Sequence, residues 1–90
     1  MTKPKLTVYT SKKCPRCKAL KRWLRRNRLS FTEKSLDDTD VMTELVMRNL
    51  TVLSAPALET ENRVYLSDKI FLPNNSLNPS FTQILRVKAT

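Results

Sequence analysis

Apolar residues recur along the chain with two different periods, and the switches between them divide it into seven elements. Leu6-Thr-Val-Tyr9 is short, β-branched and aromatic, which predicts a strand. Cys17, Leu20 and Leu24 then fall at spacings of three and four, and Ala19 with Trp23 widens the stripe, so a helix is expected. Its start is marked by Cys14-Pro15, because the residue before proline avoids the α region and proline suits the first helical position. Cys14 is thus the expected N-cap, and the helix should end between Asn27 and Leu29. Ser30 to Leu36, with Phe31 and Leu36 as its apolar residues, is a second, weaker strand. Asp37-Asp-Thr-Asp40 offers caps and negative charge to a helix whose apolar positions are Val41, Met42, Leu45, Val46 and Leu50. Ala57 to Thr60 and Arg63 to Leu66 form a hairpin around Glu61-Asn62. After an irregular stretch at 73–76, Asn78-Pro79 repeats the cap-then-proline signal before Phe81, Ile84, Leu85 and Lys88.

The order is β-α-β-α-β-β-α. Strand–helix–strand implies parallel neighbours joined by a right-handed crossover. The hairpin extends the same sheet, giving an α/β class with four mixed strands and helices on both faces. At 90 residues this is one domain, residues 1–90, without linkers or repeats.

Composition narrows the chemistry. Glycine is absent, which excludes a glycine-rich phosphate loop and leaves positive-φ positions to asparagine, with Asn27, Asn49, Asn62, Asn74 and Asn75 as candidates. Histidine is absent too, removing the usual general base and the commonest metal ligand. No apolar run approaches the ~20 residues that span a bilayer, and the N-terminus lacks the apolar core of a secretory signal. A cytoplasmic, monomeric protein without membrane contact is expected, and in that compartment a purely structural disulfide does not persist.

The only two cysteines, Cys14 and Cys17, share one helix face at a separation suited to a disulfide. At the N-cap the Cys14 sulfur is placed to accept from the amides of Arg16 and Cys17, which favours the thiolate. Lys12, Lys13 and Arg16 add positive potential, so Cys14 should titrate below the ~8.5 of a free thiol. Cys17, one turn in, should stay a thiol until a mixed disulfide forms on Cys14; Cys14 attacks and Cys17 resolves. Two rival readings stand beside this one: a zinc site completed by four cysteines from two chains, and an inert core pair.

Cys14-Pro15-Arg16-Cys17 after a first strand, together with Val52-Leu-Ser-Ala-Pro-Ala-Leu58 before the hairpin, resembles the glutaredoxins and their thioredoxin-fold relatives. The resemblance implies a thioredoxin fold, a cis Ala55–Pro56 bond facing the cysteines, and a substrate chain paired to the Ala55 backbone. On that basis the expected substrate-binding residues are Lys13, Pro15, Arg16, Ala55 and Pro56. Glutaredoxins usually hold glutathione with a glycine pair and an acidic residue after the last strand. Here the stretch is Leu66-Ser-Asp-Lys69, where only Asp68 remains to hold an amino group. The pattern is closer to the small glutaredoxin-like hydrogen donors of ribonucleotide reductase, many of which are recharged by thioredoxin reductase. No bound cofactor is implied, only an external thiol or dithiol reductant, either a thioredoxin reductase-like enzyme or a small thiol. The partner is a protein that carries a disulfide.

The net charge is +9, from 17 Lys and Arg against 8 Asp and Glu, and nine cations lie between Lys12 and Arg28. A positive field of this size attracts any anion and selects none. A solvated helix face, steering toward an acidic protein, and a nucleic-acid-binding module with non-catalytic cysteines all accommodate it. In the last case Tyr9 and Trp23 would stack on bases, yet no aromatic-rich RNA-binding motif is present, and binding should be non-specific at most.

Overall fold

The computed structural model describes residues 6–50, 52, 55–61 and 63–89, with the side chains of 86–89 excepted. Strand β1 (Thr7–Thr10) leads into α1 (Pro15–Arg26), followed by β2 (Thr32–Ser35) and α2 (Thr39–Met47). The hairpin β3 (Ala57–Glu59) and β4 (Val64–Tyr65) follows, then a single turn α3 (Ser67–Ile70) and α4 (Pro79–Ala89). The sheet order is β2-β1-β3-β4, with β1 parallel to β2 and antiparallel to β3. Its two faces follow from the strand period of two. Val8 and its partner Leu58 point one way, onto Leu20 and Leu24 of α1, Ile70 of α3, and Phe81 and Leu85 of α4. Tyr9 and Ala57 point the other way, onto Leu45 of α2 and Val52.

The expected seven elements are therefore present, and α3 is an eighth. A single turn is shorter than any periodicity can reveal, and its N-cap, Leu66, supplies no side-chain bond that would mark it. Strand β2 is shorter than expected, with the half-buried Phe31 and Leu36 just outside it. In α2 only Leu45 is fully buried. Val46, read as an apolar core position, is 68% exposed because it lies ~100° around the helix from Leu45. Ile84 is likewise 37% exposed, whereas Phe81 and Leu85 are buried. The Asn78 side chain caps α4, accepting from the Ser80 amide at 3.0 Å. Asn62 and the Lys88 side chain lie outside the described residues.

Without glycine, both long helices before the hairpin end on a residue forced into the left-handed region. Arg28 (φ 58°) and Asn49 (φ 58°) occupy equivalent positions. The Leu29 amide reaches Leu24 O at 2.9 Å, and the Leu50 amide reaches Leu45 O at 2.9 Å, the six-to-one bond of a Schellman motif. Of the asparagines expected at positive φ, Asn49 and Asn75 (φ 69°) adopt it, but Asn74 does not, and Lys13 (φ 52°) and Arg28 join them. Asn27 stays at φ −93° and caps the helix by its side chain instead, donating from Nδ2 to Trp23 O at 2.8 Å.

One polar network lies on the α2 face. Tyr9, 1% exposed, donates its hydroxyl to Glu59 Oε1 at 2.7 Å, and Arg48 donates to both Glu59 carboxylate oxygens. Burial, reinforced by the Glu59 charge, pushes the Tyr9 hydroxyl up from 10.0 to about 12. The Arg48 guanidinium holds Glu59 below 4.5 against the opposing effect of burial. The two shifts have opposite consequences. The Glu59 contribution to stability is present above pH 4.5 and lost as pH falls below it; the Tyr9 contribution is present below pH 10 and lost as pH rises toward about 12. Urea midpoints measured against pH should show the alkaline loss flattened in Tyr9→Phe and the acid loss flattened in Glu59→Gln.

Candidate functional site: the Cys14–Cys17 cleft

Cys14 is the N-cap of α1, in extended backbone (φ −116°, ψ 95°), and Pro15 occupies the first helical position. The Cys14 sulfur accepts the Cys17 amide at 3.1 Å. The Arg16 amide, expected as a second donor, makes no bond to it, because an N-cap side chain settles on one of the two amides and here takes the third residue's. The two sulfurs are joined in a disulfide with Cα atoms 5.2 Å apart. Their environments differ. Cys14 is half-buried beside the exposed Pro15, whereas Cys17 is 2% exposed, packed beneath the helix.

A cleft of about 490 Å³ opens at this end of α1. It brings together Lys13, Cys14, Pro15, Arg16 and Ala55, to which Ser11, Ala19 and Asn75 are added. The Ala55–Pro56 bond is cis, as the resemblance implies. Ala55 faces the cleft but Pro56 does not. Pro56 is fully buried, and its carbonyl accepts the Ser67 hydroxyl at 2.7 Å. Pro56, expected as a substrate contact, does not itself line the cleft and lies buried next to Ala55, its carbonyl held by the first residue of α3. Leu53 and Ser54 of the same motif lie outside the described residues.

Arg16 is not a free side chain. Its Nε donates to Asn75 Oδ1 at 2.9 Å, Nη2 donates to the same oxygen, and the guanidinium lies 5.4 Å from the Phe71 ring centroid. Asn75 sits in a tight turn held by Asn75 N to Leu72 O (2.9 Å) and Leu72 N to Ser76 O (2.8 Å). Of that turn, Asn75 lines the cleft. Asp68, the remaining acidic candidate for an amino group, is exposed in α3 and does not line the cleft. Asn75 and Ser67 carried no signal of such roles, since their partners Arg16 and Pro56 are remote in sequence.

A family-level comparison matches residues 6–64 to Glutaredoxin. A search of curated proteins finds no match. Among solved structures, the thioredoxin-like protein BC3987 superposes with a TM-score of 0.65 at 19% identity, over 89% of this chain and 97% of that one. A point mutant of the same protein gives a TM-score of 0.66 at 17% identity, over 90% and 97% of the two chains. Glutaredoxin 1 from Francisella tularensis, solved with cacodylate, gives a TM-score of 0.53 at 20% identity, covering 68% of this chain and 79% of its own. The architecture around the cysteine pair is thus the thioredoxin fold. The chain belongs to the glutaredoxin family, a family of thiol–disulfide oxidoreductases. No helix among the described residues is long and apolar enough to cross a membrane.

Proposed function

We propose that the protein reduces disulfides in other proteins, cycling between the Cys14, Cys17 dithiol and the Cys14–Cys17 disulfide. The observation that carries this reading is the asymmetry of the pair: one sulfur on a cleft, accepting a helix amide, and the other buried one turn behind it. The Cys14 thiolate attacks one sulfur of the substrate disulfide, forming a mixed disulfide and expelling the other sulfur as a thiolate. Cys17 then loses its proton and attacks the Cys14 sulfur, closing the intramolecular disulfide and releasing the second substrate thiol. Two electrons and two protons pass to the substrate. An external thiol or dithiol returns them, with no bound cofactor. The half-exposed sulfur at a helix N-terminus with Lys13 beside it favours the thiolate.

The donor best suited to this site is a dithiol, such as a thioredoxin reductase-like enzyme, rather than glutathione. The stretch that carries the glycine pair in glutaredoxins is here a helical turn, with Ser67 buried against Pro56 O and Asp68 away from the cleft. A small hydrogen donor to a reductase such as ribonucleotide reductase, working in a reducing cytoplasm as a monomer, is the finer form of this proposal. Turnover of insulin disulfides by the purified protein tests it. Thioredoxin reductase or a small dithiol should sustain the reaction at least about tenfold faster than glutathione at equal thiol concentration, since only an intramolecular second thiol resolves without a bound glutathione. Equal rates would reject the donor assignment, and no turnover with any donor would reject the reductase reading.

A further inference from the structure

Nine cations lie between Lys12 and Arg28, and three of them are engaged: Lys21 with Glu33 at 3.1 Å, Arg25 over the Phe31 ring, and Arg16 on Asn75 and Phe71. The other six are Lys12, Lys13, Lys18, Arg22, Arg26 and Arg28, all exposed. Among the described residues, which include every Asp and Glu of the chain, none of the six side chains forms an ion pair with a carboxylate, although the Lys12 backbone amide donates to Asp37 Oδ2 at 2.9 Å. Lys18, Arg22 and Arg26 are spaced four apart on α1 and so form one ridge, away from the buried Cys17, Leu20 and Leu24. The ridge begins about 6 Å along the helix axis from Cys14 and ends about 18 Å from it, at ~1.5 Å per residue. Lys13, lining the cleft, continues the positive surface to the reactive sulfur.

All six aromatic side chains are committed elsewhere. Tyr9 is buried on Glu59, Trp23 packs against the core, and Phe31 and Phe71 lie under Arg25 and Arg16. Phe81 is buried and Tyr65 meets it edge-on at 5.4 Å. None of the six rings, all among the described residues, is fully exposed, and each already has a partner, whereas stacking on free aromatic faces is a main attractive term for single-stranded nucleic acid. The ridge attracts any anion, and on the surface of a protein substrate the anions are carboxylates. A cleft of about 490 Å³ holds only a few side chains, so the rest of a protein substrate must rest on the surface around it, and on this side that surface is Lys18 and Arg22.

We propose that Lys18, Arg22 and Arg26 form a docking ridge for an acidic protein surface, so that the preferred substrate carries Asp or Glu about 6–18 Å from its disulfide. The proposal rests on Cys14 as the attacking thiol, and the test separates the two. Three disulfide-linked peptides differing only in flanking residues, Glu, Lys or uncharged, are reduced by the dithiol protein, and rates are compared as ratios within each protein. At low salt the Glu peptide should react about tenfold faster than the Lys peptide, the range that two or three exposed charge pairs supply. The ratio should approach one near 1 M salt, where the screening length is about 3 Å. The double variant Lys18→Glu/Arg22→Glu should invert it. A ratio near one at low salt, or one unchanged in the double variant, would overturn the docking ridge while the uncharged peptide is still reduced. Failure to reduce even the uncharged peptide would overturn the reductase reading, and the ridge with it. A flat peptide ratio with tight binding of a single-stranded oligonucleotide at physiological salt would give the cations to nucleic acid instead.

Discussion

Cys17→Ser protein should accumulate as a covalent complex with its substrate, and Cys14→Ser should form none and lose all turnover. The expectation follows from where the two sulfurs sit. Cys14 lines the cleft with its sulfur on the Cys17 amide, so of the two sulfurs it is the one open to a substrate disulfide. Cys17 is 2% exposed, so it does not meet a free substrate disulfide and reacts only with the neighbouring Cys14 sulfur once that sulfur is bonded to substrate. Removing Cys17 leaves the first exchange intact and abolishes the second, so the mixed disulfide persists until a reductant such as dithiothreitol releases it. Non-reducing gels with an immobilised Cys17→Ser protein, exposed to a cell extract, would display the complexes. Equal capture by Cys14→Ser would show that Cys17 is accessible and that the assigned roles are reversed or shared.

Leu20→Ala should lower stability by about 2–5 kcal/mol, the usual cost of a cavity at a closed leucine site. Leu20 is fully buried and anchors α1 against the sheet face made by Val8 and Leu58. A 90-residue domain is stabilised by only about 5–13 kcal/mol, so the loss takes a large share of the total. The thermal midpoint should fall by on the order of 10 °C or more. Arg22→Ala, two residues on and on the opposite, exposed side of α1, should change stability by less than about 0.5 kcal/mol. If the two variants lost comparable stability, α1 would not be held by its apolar stripe, and the positioning of Cys14 would need another explanation.

The parts of the fold legible in the sequence are those specified locally. Cys14-Pro15 marks a helix start because proline restricts the residue before it and lacks an amide to satisfy, and the structure begins α1 at Pro15. Leu20 and Leu24 mark the buried stripe by spacing alone. What was not legible depends on tertiary neighbours. Val46 has the same apolar character as Leu45, and only the placement of α2 on the sheet leaves one outside and the other within. Arg28 takes the left-handed position that an asparagine was expected to fill, since the register of the helix end, not residue preference, decides which side chain falls there. At the site, Cys14, Lys13 and Ala55 could be named from motifs. The place of Asn75 in the cleft could not, because it meets Arg16 across 59 residues of chain. Nor could the burial of Pro56 next to Ala55, which depends on the Ser67 hydroxyl in a helical turn too short to be seen in the pattern.

If Cys14 and Cys17 together carry two electrons to a protein disulfide, the transfer can be counted directly. Fully reduced protein, freed of small thiols, is mixed with insulin in slight excess, and the reaction is quenched in acid. Alkylation and mass spectrometry then count free thiols on both partners. Each oxidised molecule should have lost both thiols and carry a Cys14–Cys17 disulfide, while the substrate has gained an equal number. Loss of thiols without matching gain in the substrate, or a reduced protein that leaves insulin untouched, would contradict it.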